Sequence, residues 1–72
     1  MTKKQQPGSR ALAQAFIKTF VDGDMRTITE ANEHVTILSL VVAVRKIDTR
    51  LSLSQAVITA KAVRAYLNET ES

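Results

Sequence analysis

Three observations predict an all-α fold. Apolar residues recur at spacings of three and four over three separate stretches, residues suited to helix starts stand before them, and no segment alternates cleanly with period two. The expected architecture is three helices, at about 9–22, 28–47 and 53–68, behind a disordered basic tail at 1–8, with 9–72 forming a single helical domain.

The tail, from Met1 to Gly8, combines lysine, glutamine, proline and glycine with almost nothing to bury. Ser9 is the expected N-cap of the first helix, in which Leu12, Ala13, Phe16, Ile17, Phe20 and Val21 form the apolar stripe and Arg10, Gln14 and Lys18 lie opposite. Gly23 is the expected C-cap. Asp22-Gly23-Asp24 suggests calcium at first sight, but Met25, Arg26 and Ile28 occupy places where a calcium loop needs oxygen ligands, so turn chemistry is the better reading. Thr27 and Glu30 have capping-box spacing and set the expected start of the second helix near Ile28.

The stretch from His34 to Ile47 is both strongly apolar and rich in β-branched residues. As a strand it would have two mixed faces. As a helix, Ile28, Ala31, Val35, Leu38 and Val42 share one stripe and Ile37, Val41 and Val44 the next, while Asn32, Thr36, Ser39, Ala43, Lys46 and Arg50 run opposite. The segment is therefore read as helix, with a fully covered strand as the alternative. Ser52 and Gln55 form a second capping-box pattern, and Leu53, Ala56, Ala60, Val63 and Leu67 make the stripe of the third helix.

A chain of 72 residues buries a small share of its surface and is marginal unless reinforced. With no cysteine and one histidine, neither disulfides nor a structural zinc site can reinforce it, which leaves self-association. The wide apolar arc of the second helix makes Val35, Ile37, Leu38, Val41, Val42 and Val44 the expected contacts of a homodimeric helical bundle. The N-terminus has no apolar core of a signal peptide, and the uncharged run between Glu33 and Arg45 is about half of the roughly 20 residues a membrane span needs, so a cytoplasmic protein that does not enter the membrane is expected.

Catalytic chemistry finds little to work with. The chain has no glycine-rich phosphate loop, no nucleophile elbow and no metalloprotease motif, and no cofactor is implied. Glu30 and His34 have the i,i+4 spacing of half a metal site, yet a carboxylate beside an edge histidine is the simpler reading, and no metal site is assigned. Charge is more informative: the net charge is +3 and the pI about 9.7. An up-down-up arrangement would collect Lys3, Lys4, Arg10, Arg45, Lys46 and Arg50 into one basic pole for binding a macromolecule, with Asp22, Asp24, Glu30, Glu69 and Glu71 at the other end. Lys61 and Arg64 are placed on the outer, solvated side of the third helix. The function expected is that of a small non-enzymatic regulatory or adaptor protein binding another protein, with nucleic-acid binding through the basic pole as the alternative.

Overall fold

In the computed structural model, which describes residues 7–71, the chain forms four helices rather than three: α1 (Pro7–Ile17), α2 (Asp24–Asn32), α3 (Ile37–Ile47) and α4 (Leu53–Glu71). The described residues contain no strand, so the β-branched stretch is helical.

Within the described residues helix α1 runs from Pro7, so Ser9, the expected cap, lies inside it. Residues 1–6 of the expected tail lie outside the described residues. The helix also stops short of residue 22. Beyond Ile17 the Thr19 and Phe20 amides donate to the Phe16 and Ile17 carbonyls, a tighter i to i+3 pattern, and the Thr19 hydroxyl donates to the Phe16 carbonyl at 2.7 Å. Phe16 and Phe20 meet edge to face at 5.1 Å between ring centres.

Gly23 does not cap α1. It stands at the N-cap of α2 with φ 90°, in the left-handed region. The Val21 amide donates to the Asp24 carboxylate at 2.8 Å, closing the turn. Thr27 is inside α2 instead of capping it, and its hydroxyl donates back to the Gly23 carbonyl, so the expected capping box is not formed. A Cβ at position 23 would meet nothing within 4 Å, which makes the cost of a side chain there one of backbone strain alone. Gly23→Ala is accordingly expected to destabilise by about 1–2 kcal/mol and Gly23→Asn by less, read from denaturation midpoints.

The expected 28–47 helix is broken at Glu33–Thr36, although neither glycine nor proline occurs there. Thr27, Glu30, Ala31 and His34 line one groove together with Ser39, Val42, Ala43 and Lys46, so α2 folds back onto α3 across the short turn. After a short connection α4 runs back along α3, and α1 packs on another side of α4. Here the first half of the expected capping box forms, with Ser52 as N-cap: the Gln55 amide donates to the Ser52 hydroxyl at 3.2 Å. Helix α4 also extends past residue 68 to Glu71.

Ile28, Leu40, Val44 and Val63 are fully buried, surrounded by Ala13, Ala43, Ala56, Ala60 and Ala62. Small residues on facing helices let α4 lie close to both α1 and α3. The Cα radius of gyration is 11.8 Å, near the roughly 11 Å expected of a compact chain this long, so the core closes within one molecule.

Candidate binding surface on the third helix

The break before α3 resets its phase, and the apolar residues expected on one dimer face divide between two environments. Val41 and Val44 are buried in the chain's own core and Ile37 is half-buried against it. Val35, Leu38 and Val42 are exposed, at 95%, 67% and 54%. Leu40, which belonged to neither expected stripe, is fully buried, and Ala43, expected on the outer face, is buried as well.

Leu38 and Val42 lie one turn apart on the outer side of α3, and Val35 stands in the turn that precedes the helix. Beside them runs a groove of about 360 Å³ between α2 and α3, lined by Thr27, Glu30, Ala31 and His34 on one wall and Ser39, Val42, Ala43 and Lys46 on the other. Val42 and Lys46 also border a second hollow of about 380 Å³ with Arg45 and Thr49. The surface is thus an apolar strip with cations at one end. Glu30 and His34 share the first groove, but among the described residues no three histidine, cysteine or acidic side chains converge as metal ligands.

The basic pole is not assembled as expected. Arg10 sits at the far end of α4, where its guanidinium pairs with the Glu69 carboxylate and lies 6.0 Å from the Tyr66 ring centre. Arg45, Lys46 and Arg50 are exposed at the opposite end, just before α4 begins. Sixteen residues of helix separate Leu53 from Glu69, about 24 Å. The expectation failed because it ran the last helix beside the first in the wrong sense: α1 and α4 are antiparallel, which brings the start of one to the end of the other. Glu69 is therefore a partner of Arg10 and not part of an acidic pole. Lys3 and Lys4 lie outside the described residues.

Arg64 is the residue that sequence reasoning missed. Expected on the solvated side of its helix, it is half-buried and turned toward the α2–α3 break. Its Nε donates to the Asn32 side-chain oxygen at 3.1 Å, and its terminal nitrogens donate to the carbonyls of His34 at 2.9 Å, Thr36 at 3.4 Å and Val35 at 3.5 Å. A helix end leaves carbonyl groups without partners, and one guanidinium with five donors can serve several of them. A single arginine in an alanine-rich stripe gives no sign of this in the sequence, because its partners are backbone atoms some thirty residues away.

No helix among the described residues is long and apolar enough to cross a membrane. Comparison of the chain with known protein families, with characterised proteins and with solved structures returns no match.

Proposed function

We propose that this chain is a small non-enzymatic binding module of the cytoplasm that acts as a homodimer and engages another protein in a regulatory or adaptor role. The observation that carries the reading is the strip formed by Val35, Leu38 and Val42. Among the described residues seven large apolar side chains are exposed, and of these Leu38 and Val42 share the outer face of α3 while Val35 stands in the turn just before it. Single exposed apolar residues are ordinary, whereas a contiguous strip beside a groove is a binding feature. Sedimentation equilibrium over a range of protein concentrations tests the dimer. Mass rising from one protomer to two supports it, and a monomer throughout removes it.

A second reading rests on a different observation: among the described residues, no ion pair engages the exposed cations Arg45, Lys46 and Arg50. Such a cluster suits phosphate backbones, and binding would then fall as salt rises because counterions are released. Three phosphate contacts correspond to a slope of log affinity against log salt of about −3 on duplex DNA. Repeating the sedimentation with a duplex at low and moderate salt is expected to leave the protein mass unchanged if the partner is a protein. Co-sedimentation with that slope would shift the assignment to nucleic acid.

A further inference from the structure

The α2–α3 turn has an unusual construction. Glu33–Thr36 contains no glycine or proline, and apolar residues continue across it at helical spacing, so the local sequence suits one uninterrupted helix. Bent, it leaves Val35 almost wholly in solvent. What its backbone gains instead comes from a distant element: Arg64 of α4 donates to the carbonyls of three of the four turn residues and to the Asn32 side chain.

We infer that Arg64 is a latch holding this hinge bent, and that its release converts the chain into a domain-swapped dimer built on one continuous α2–α3 helix. Such a helix, from Asp24 to Ile47, would be about 36 Å long. It carries α2 away from its own α3, so the Ile28 and Ala31 face must find the α3 and α4 of a second copy. Two features favour that copy over a merely opened monomer. Every core contact of α2 re-forms between chains, which is why swapping is a low-cost route to dimers when a hinge is short. In addition, Val35 and Leu38 come onto one stripe close to the straightened hinge, where two such helices cross, and their exposure in the bent form ends there. This goes beyond association through the outer face of α3 and does not require it.

The test uses the absence of native cysteine. Thr27 and Lys46 border one groove from opposite walls, so Thr27→Cys with Lys46→Cys, bridged by a short bismaleimide, reports whether α2 packs on its own α3 or on another chain's. With Arg64 present the bridge is expected within the chain, giving a monomer band on a denaturing gel. With Arg64→Met, which keeps the apolar stem and removes all five donors, the dominant product is expected to be a covalent dimer. Adding Thr36→Pro should return the monomer band, since proline removes a hydrogen bond from a continuous helix and clashes with its preceding turn, while Thr36 in the bent form is an extended N-cap that takes proline with a modest change in φ. Should Arg64→Met fail to fold, His34→Ala with Thr36→Ala, which improves helix propensity in the hinge and leaves α4 untouched, is expected to give the same dimer band. Intrachain bridging in whichever of these variants folds overturns the inference. A wild-type chain that stays monomeric in sedimentation removes the proposed α3-face dimer alone, so the two ideas fail separately.

Discussion

Leu40→Ala is expected to destabilise the chain by about 2–5 kcal/mol, the usual range for truncating a fully buried leucine where the cavity does not collapse. Domains of this size have only about 4–11 kcal/mol in total, so much of the population should unfold at modest denaturant. The comparison that gives the result meaning is Leu38→Ala. Leu38 lies two residues earlier on the same helix but is 67% exposed, and its truncation is expected to move stability by less than about 0.5 kcal/mol. A urea midpoint for each variant checks both. Equal costs would mean that α3 is rotated from the orientation described, with Leu38 and Val42 inside.

The opposite experiment introduces charge on the exposed strip. Leu38→Glu together with Val42→Glu should leave the melting temperature nearly unchanged, because neither side chain belongs to the core. Self-association through this face should weaken by about a hundredfold or more, corresponding to roughly 2.7 kcal/mol, since a symmetric contact meets each new carboxylate twice and must desolvate it. Sedimentation at matched concentrations reads the change. If the variant dimerises as tightly as the parent, the interface lies elsewhere on the molecule and the strip has lost its role.

Both results turn on the difference between the helical period of a segment and its rotational phase. Ile28 and Ala31 are buried, and extending their stripe through an unbroken helix points to Val35, Leu38 and Val42 as the buried set. The period is right in both helices. The break between them offsets the phase, and Leu40, Val41, Ala43 and Val44 become the inward residues instead. The candidate surface was therefore legible as a set of apolar residues but not as a face: Val35, Leu38 and Val42 are outside, while Val41 and Val44 serve the core. The basic residues follow the same rule. Arg45, Lys46 and Arg50 share one end because they are local in sequence, whereas the position of Arg10 depends on the sense in which α1 meets α4.

The features determined by the sequence alone are those that act over one or two turns. Helical periodicity establishes the all-α fold, Ser52 and Gln55 mark the start of α4, and Ala56, Ala60, Val63 and Leu67 are its buried face, since capping bonds and i,i+4 stripes form between near neighbours. The break at Glu33–Thr36 was decided by tertiary structure. No glycine or proline there forces a break, and the apolar spacing runs on across it, whereas the carbonyl groups of the bent turn receive donors from within the chain when α4 brings Arg64 beside them. Local propensities differ by fractions of a kcal/mol per residue, so a few long-range hydrogen bonds to backbone oxygen are enough to prevail over them.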